Sequence, residues 1–340
     1  MSTNYDVAVV GATGLVGEVM IQVLEERNFP VGRLFPLASQ RSVGRTVKFR
    51  DQTIPVHVLE GFNFEQVQLA LFSAGGSVSA EFAPRAAAAG AVVIDNSSHF
   101  RYEDDIPLVV PEVNPQRIAD YTNRGIIANP NCSTIQMVVA LKPIHDAVGI
   151  ERINVATYQA VSGAGRSALE RLTEHTRQIL AGIDPVVRGN EKWVAFNAVP
   201  QIDVFLDTGY TKEEMKMIWE TRKIMEDPSI MVNPTAVRVP VYFGHSEAVH
   251  IETRTKITVP EVRTLLNSAP GVVVIDGRKL GAYPTAATDA AHQDAVYVGR
   301  IREDLSHPRG INLWIVADNV RKGAATNSVQ IAEILVNQFM

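Results

Sequence analysis

The period of apolar and polar positions changes once along the chain, and the change divides it. Val7-Ala8-Val9-Val10 is a short unbroken apolar run, the pattern of a strand buried on both faces. Val16, Met20, Val23 and Leu24 then recur at helical spacing. Further apolar runs at 33–39, 68–73, 91–96 and 125–128 predict strands. Between them lie helical patterns, including an Ala-rich helix at 79–89 that Pro84 bends or delays. Strands alternating with helices predict a doubly wound parallel sheet.

From about residue 133 the pattern becomes one of half-buried strands. A helix-like stretch at 133–141 leads to an alternating strand at 152–160, a tight turn at 162–165 and a helix at 166–180. The polar stretch 183–193 predicts no element. A helix follows at 211–225, with Met215, Ile218, Trp219 and Met225 on one side. Strands are then expected at 236–243, 248–255, 271–275, 295–301 and 311–316. Thr258 and Glu261 have capping-box spacing ahead of a short helix. This succession predicts a mixed or antiparallel sheet of α+β type. The last segment, 323–340, reads as a helix with Ile331, Leu335 and Phe339 on one stripe, widened by Ala332 and Val336. The expected fold is thus an α/β N-terminal doubly wound parallel sheet plus an α+β mixed-sheet second domain. Residues 1–132 form the first domain, completed by the C-terminal helix 319–340, and residues 133–318 form the second.

Composition narrows the function. With 340 residues, 46% hydrophobic and 20% charged, the chain can bury full cores. A net charge of −5 exerts no general pull on nucleic acid or anionic membrane. A single cysteine excludes an intrachain disulfide framework or a cysteine-rich metal site, and it fits a reducing, cytoplasmic setting. The start, Met1-Ser2-Thr3-Asn4-Tyr5-Asp6, lacks the basic and apolar regions of a signal peptide. No apolar run is long enough to span a bilayer. Neither a metal-binding signature nor a G-x-S-x-G elbow is present, so no metal is expected.

The first apolar run ends in Gly11-Ala12-Thr13-Gly14-Leu15-Val16-Gly17, a G-x-x-G-x-x-G variant of the dinucleotide fingerprint that opens a helix. Gly11, Thr13, Gly14, Leu15 and Val16 form the expected pyrophosphate turn of a Rossmann-like domain. An NAD site usually has an acid at the end of the second strand. Here that end reads Ser39-Gln40-Arg41-Ser42, so Ser39, Arg41 and Ser42 favour a 2′-phosphate and hence NADP. A plain structural turn and a solvated basic loop are the bland readings of these two stretches. Ser73 opens a second small-residue turn at the same sheet edge.

Cys132 follows Asn129-Pro130-Asn131 and precedes Ser133-Thr134, which places it at a strand-to-helix turn. A helix N-terminus favours a thiolate. A lone cysteine is also simply a small buried hydrophobe, and its surroundings must decide. His245 is the best candidate base: it is expected in a turn after Gly244, at the end of a strand that places Arg238, Pro240 and Tyr242 on one face.

Taken in order, five stretches resemble the aspartate-semialdehyde dehydrogenase family over essentially the whole chain. They are the glycine turn, Asn129 to Thr134, Tyr158 to Gly165, Arg238 with His245 seven residues on, and Asp318-Asn319-Val320-Arg321-Lys322-Gly323-Ala324-Ala325. The resemblance implies Cys132 as nucleophile, His245 as general acid/base and Gln159 as the residue orienting the acyl intermediate. It further implies Arg238 on the substrate α-carboxylate, Glu213 on its amino group, and Arg101, Lys216 and Asn131 at the phosphate. Ser162, Gly163, Asn319 and Gln330 fall where the family contacts the nicotinamide.

On that resemblance the chain is expected to reduce L-aspartyl-4-phosphate to L-aspartate-4-semialdehyde with NADPH, as a homodimer, in biosynthesis of the aspartate-derived amino acids. Two alternatives remain at the level of sequence. One is another acyl-phosphate reductase, such as an N-acetyl-glutamyl-phosphate reductase or a phosphorylating glyceraldehyde-3-phosphate dehydrogenase. The other is a non-catalytic dinucleotide-binding paralogue, which the presence of Cys132, Gln159, Arg238 and His245 disfavours.

Overall fold

The computed structural model describes residues 4–187, 189 and 191–340. Met1, Ser2 and Thr3 of the N-terminal reading lie outside the described residues, as do Arg188 and Asn190 of the polar stretch 183–193. The chain forms two compact units. It passes from the first to the second between Asn131 and Cys132, and returns between Gly323 and Ala324.

In the first unit, β1 (Tyr5–Val10) leads through the glycine turn into α1 (Leu15–Glu26), and β2 (Val31–Ala38) follows. A hairpin of β3 (Thr46–Phe49) and β4 (Gln52–Pro55) and the two-residue β5 (His57–Val58) come next. Short polar strands of this kind carry too few apolar positions for a periodicity reading, and sequence reasoning missed them. β6 (Leu69–Phe72), α2 (Gly76–Ala88), β7 (Val92–Asp95) and β8 (Ile126–Ala128) complete the βα series. Six strands form one parallel sheet in the order β5-β2-β1-β6-β7-β8. β6, β7 and β8 are buried along their whole length because both sheet faces are covered.

The second unit begins with α3 (Cys132–Val148), β9 (Ile150–Gln159), α4 (Arg166–Leu180) and α5 (Lys212–Ile224). Next come β10 (Met231–Arg238), β11 (His245–Thr253), α6 (Val259–Ser268), β12 (Val272–Val274), β13 (Val296–Glu303) and β14 (Gly310–Ala317). The sheet order is β10-β9-β11-β14-β13-β12, with parallel and antiparallel pairs mixed. Pro234 is tolerated inside β10 because that strand lies at the sheet edge. Along β9 and β11 the odd-numbered positions Ile153, Val155, Thr157, Glu247, Val249 and Ile251 are buried, while their neighbours Asn154, Ala156, Tyr158, Ala248, His250 and Glu252 are partly open or exposed.

The last helix, α7 (Thr326–Gln338), belongs to the first unit. Ile331, Ala332 and Leu335 join the core that contains Val7, Val9 and Ile94. Asn327 Nδ2 donates to Asn129 Oδ1 at 2.7 Å and to the Val109 carbonyl at 3.1 Å. Asn129 Nδ2 in turn donates to Asn96 Oδ1 at 2.7 Å. These amides tie α7 to the carboxyl ends of β7 and β8. The helix starts later than residue 319, because Asp318 first caps a turn by accepting from Val320 N and Arg321 N.

Two sequence readings are corrected. The strand expected at 236–243 ends at Arg238, since Pro240 cannot supply a ladder N–H. His245 therefore begins β11 and is fully buried, instead of sitting in a turn. In α5 the buried side carries Glu213, Glu214, Met217, Glu220, Thr221 and Ile224, whereas Trp219 is exposed. A hydrophobicity pattern assigns carboxylates to solvent; here fixed partners hold them inside.

Gly17 shows how tightly the glycine turn is built: a Cβ there would stand 2.2 Å from the Gly11 carbonyl oxygen. Gly17→Ala is expected to lower stability by about 1–3 kcal/mol through overpacking and to weaken dinucleotide binding. Thermal unfolding and a cofactor titration measure the two effects.

Candidate active site

Cys132 is the first residue of α3, at the positive end of its dipole. Its Sγ lies 3.3 Å from His245 Nε2. The other ring nitrogen, Nδ1, accepts the backbone N–H of Ala160 at 3.0 Å. That bond puts the hydrogen of a neutral ring on Nε2, facing the sulfur. Burial pushes the His245 pKa well below its ordinary value, and the nearby Arg238 charge pushes the same way. A neutral ring with its N–H aimed at sulfur is a donor matched to a thiolate.

The wall around this pair is polar, with Ser133, Gln159 and Glu213 buried in it. Arg238 Nη1 donates to the Ala160 carbonyl at 2.7 Å, so one peptide holds both Arg238 and His245. Burial lowers the Arg238 pKa, against the attraction of Glu213 and Cys132. Gln159 Nε2 donates to Ser133 Oγ at 2.6 Å and to Glu213 Oε1 at 3.3 Å. Lys216 Nζ donates to Glu213 Oε2 and Asp203 Oδ2, both at 2.9 Å. Burial works against the Lys216 charge, but Glu213 and Asp203 outweigh it and raise its pKa. Glu213 is fixed from the start of α5, where Thr211 and Glu214 form a capping box and Glu214 Oε1 also accepts Ala236 N at 3.0 Å. The capping spacing Thr211–Glu214 was readable in the sequence; the inward turn of Glu213 was not. Beside Arg238 lies a cavity of about 490 Å³, also lined by Val161, Leu172, His175, Trp193 and Asp203.

Ser162 Oγ and Asn319 are joined by bonds of 2.9–3.0 Å, and Asn319 Oδ1 also accepts Gly244 N at 3.0 Å. A Cβ at Gly163 would come within 3.2 Å of Arg238 Nη1 and 3.5 Å of the His245 ring, so the bare position leaves room for a ligand there. Cys132, Gln159, Ser162, Gly163, Glu213, Lys216, Arg238, His245 and Asn319 are thus gathered within the second unit.

The remaining expected site residues belong to the first unit. Gly11 has φ +83°, and a Cβ there would stand 2.5 Å from the Ser73 carbonyl oxygen. Gly14 caps α1 without a side chain, and Leu15 and Val16 open the helix. Thr13 Oγ1 and Ser42 Oγ are 3.1 Å apart, which sets the loop after β2 against the glycine turn. Ser39 and Arg41 on that loop are exposed. These bare glycines and paired hydroxyls suit a dinucleotide phosphate at the start of α1. Arg101 Nη2 donates to the Asn96 carbonyl at 2.9 Å, Asn131 is buried, and Gln330 Nε2 donates to Glu112 Oε1 at 3.2 Å.

Sequence reasoning gave no role to several groups that build the site. Ser133 anchors Gln159, the Ala160 peptide orients two side chains, and Asp203 completes the Lys216 pair. Gly323 is another: a Cβ there would stand 2.7 Å from Cys132 Cβ. Among the described residues no helix is long and apolar enough to cross a membrane.

A two-unit oxidoreductase, with a dinucleotide-binding α/β unit and a second mixed-sheet unit, is the class this fold and site define. The model of the semialdehyde dehydrogenase NAD binding domain matches residues 6–121, and that of the semialdehyde dehydrogenase dimerisation domain matches 141–322. An aspartate-semialdehyde dehydrogenase of Legionella pneumophila is 64% identical over 340 residues, covering 100% of this chain and 98% of that protein. A crystal structure of aspartate semialdehyde dehydrogenase II from Vibrio cholerae, complexed with ASA, is 59% identical and superposes with a TM-score of 0.97, covering 100% of both chains. A Candida albicans aspartate semialdehyde dehydrogenase structure with NADP is 25% identical, with a TM-score of 0.77, covering 98% of this chain and 99% of that one. The chain belongs to the aspartate-semialdehyde dehydrogenase family.

Two outcomes are expected from this geometry. Gly323→Ala should displace Cys132 and cut kcat by about tenfold or more, since a misplacement near 1 Å can cost 10²-fold; steady-state kinetics on the folded variant measures it. The second concerns pH. The lowered His245 pKa means that below about pH 6.5 the unfolded chain takes up a proton there that the folded chain refuses. Stability then falls as pH drops. His245→Gln should lose less stability than the parent between pH 7 and pH 5, as read by urea unfolding.

Proposed function

We propose that the chain catalyses the reversible, NADPH-dependent reductive dephosphorylation of L-aspartyl-4-phosphate to L-aspartate-4-semialdehyde and phosphate, through a thioacyl group on Cys132. The observation that carries this reading is the Cys132 Sγ to His245 Nε2 approach of 3.3 Å at the first residue of α3. The Vibrio cholerae relative complexed with ASA and the Candida albicans relative with NADP support the substrate and the cofactor.

The residues take the roles that the family resemblance implies. The Cys132 thiolate attacks the acyl carbonyl, and phosphate leaves with the electron pair of the broken C–O bond. Arg101, Asn131 and Lys216 are the proposed phosphate ligands. Arg238, with most of its five N–H donors beyond the one given to Ala160, takes the α-carboxylate. Glu213 takes the α-ammonium. A substrate ammonium on Glu213 competes with its 3.3 Å bond from Gln159, and so frees a Gln159 N–H for the acyl oxygen. Loss of one such donor typically costs about 2.7–4 kcal/mol of barrier. A nicotinamide held by Ser162, Gly163, Asn319 and Gln330 would supply the hydride for the thioacyl carbon. His245 then serves the hemithioacetal oxygen from Nε2, the nitrogen whose hydrogen faces the site. Collapse of that adduct expels the aldehyde and restores the thiolate.

Ser39, Arg41 and Ser42 hold the 2′-phosphate, Gly11, Thr13, Gly14, Leu15, Val16 and Ser73 form the phosphate edge, and Ser162, Gly163, Asn319 and Gln330 serve the nicotinamide. The half-open sheet face that bears Tyr158 and Trp314, whose rings lie 5.6 Å apart, is proposed to pair with a second copy of the chain as a cytoplasmic homodimer.

The test is phosphate-dependent reduction of NADP with aspartate semialdehyde. Cys132→Ala should abolish it, and Cys132→Ser at near-normal turnover would sink the covalent scheme. Ser39→Asp with Arg41→Ala should lower kcat/KM for NADPH by about a hundredfold, some 2.7 kcal/mol, and NADH activity much less. Equal efficiency of the parent enzyme with NADH and NADPH would count against the 2′-phosphate loop.

A further inference from the structure

Beneath Cys132 and His245 lies a second pair that the chemistry above does not use. Cys132 and Gln136 are four residues apart on α3 and so share a helix face. His245 and Glu247 are two apart on β11 and so share a sheet face. The two faces meet: Gln136 Nε2 reaches the His245 carbonyl at 3.4 Å. The Gln136 side chain also acts on the Glu247 carboxyl, drawing its pKa down, although it makes no hydrogen bond to it as the side chains stand. The upper layer of the α3–β11 contact is therefore cysteine against histidine, and the next layer is amide against acid.

Glu247 is fully buried. Its strand neighbours are Thr157 on β9 and Ile315 on β14, neither of them cationic. Burial raises its pKa well above the ordinary carboxyl value, and Gln136 opposes this only in part. A neutral carboxylic acid has one O–H donor and retains acceptor capacity; a primary amide has both as well. The two groups can therefore bond each other with no buried charge, whereas an ionised carboxylate would lie there without a cation. Among the described residues, Gln136 Oε1 and both Glu247 carboxyl oxygens are buried with no hydrogen-bond partner, and an O–H on Glu247 is the donor that Gln136 Oε1 can accept.

We propose that Gln136 and Glu247 form a neutral amide–acid pair that acts as a positioning layer, holding the start of α3 against β11 so that Cys132 Sγ meets His245 Nε2. Neither residue touches the reacting atoms. Their effect passes through the sulfur-to-nitrogen distance. This inference rests on the Cys132–His245 chemistry proposed above.

The experiment compares Glu247→Gln, Glu247→Leu and Gln136→Met in the full chain, with the parent and Cys132→Ala in the same assay. Because Cys132 is the only cysteine, iodoacetamide alkylation reports it alone. Glu247→Gln, neutral and isosteric, should keep kcat within about twofold of the parent and leave the pH midpoint of alkylation in place. Glu247→Leu should lower kcat about tenfold or more with little change in KM, and move the alkylation midpoint upward. Gln136→Met should act in the same direction, and it decides the question if Glu247→Leu does not fold. Parental kcat and alkylation in both apolar variants would overturn the proposal. So would a Glu247→Gln enzyme as impaired as Glu247→Leu, because that would require a charged carboxylate. An inactive parent enzyme would instead refute the assigned reaction, while the alkylation profiles would still report on the pair.

Discussion

One backbone hydrogen bond, from Ala160 N–H to His245 Nδ1, determines what the site can do. It selects the tautomer and so aims the Nε2 hydrogen at Cys132. The same peptide accepts Arg238 through its carbonyl, which fixes a guanidinium beside the ring. A residue with no functional side chain thus sets the protonation of one group and the orientation of another. Ala160 can do this because β9 ends at Gln159, leaving its peptide groups outside the sheet ladder.

Around that peptide, charged side chains of opposite sign stand together, with Glu213 buried, Lys216 and Arg238 half-buried and Asp203 exposed. Glu213 and Asp203 share Lys216, and Glu213 also faces Arg238 and Gln159. Buried ion pairs seldom add net stability, because desolvation consumes most of their attraction. In the proposed reaction they would bind a zwitterionic substrate, Glu213 taking its ammonium and Arg238 its carboxylate. The α5 capping box contributes indirectly, since it locks the first turn on which Glu213 stands.

The first unit does different work with different means. Its features are close backbone approach, enforced by glycines where any Cβ would collide, and a hydroxyl pair, Thr13 with Ser42, that joins the loop after β2 to the glycine turn. Its last strand hands the chain directly to Cys132, and its closing helix α7 returns after Gly323, the residue packed on the Cys132 side chain. Membership of the family places this division of labour in a known kind of enzyme, and the inner Gln136–Glu247 layer extends it one shell deeper.

The sequence by itself determined the features that depend on local spacing. Apolar runs and glycine placement marked the parallel sheet, its phosphate turn and the helix that begins at Cys132, because period and backbone freedom are local properties. Tertiary structure decided what depends on partners far apart in the chain. Local pattern put His245 in a turn and Glu213 on a solvated helix face; strand pairing buried the first and a lysine and a glutamine drew in the second. Glu247 falls just outside the strand expected at 248–255, and only the pairing of β11 with β9 and β14 shows it buried on the His245 face. Burial of a polar side chain is set by the groups that meet it across the fold, and these do not appear in the period of its own segment.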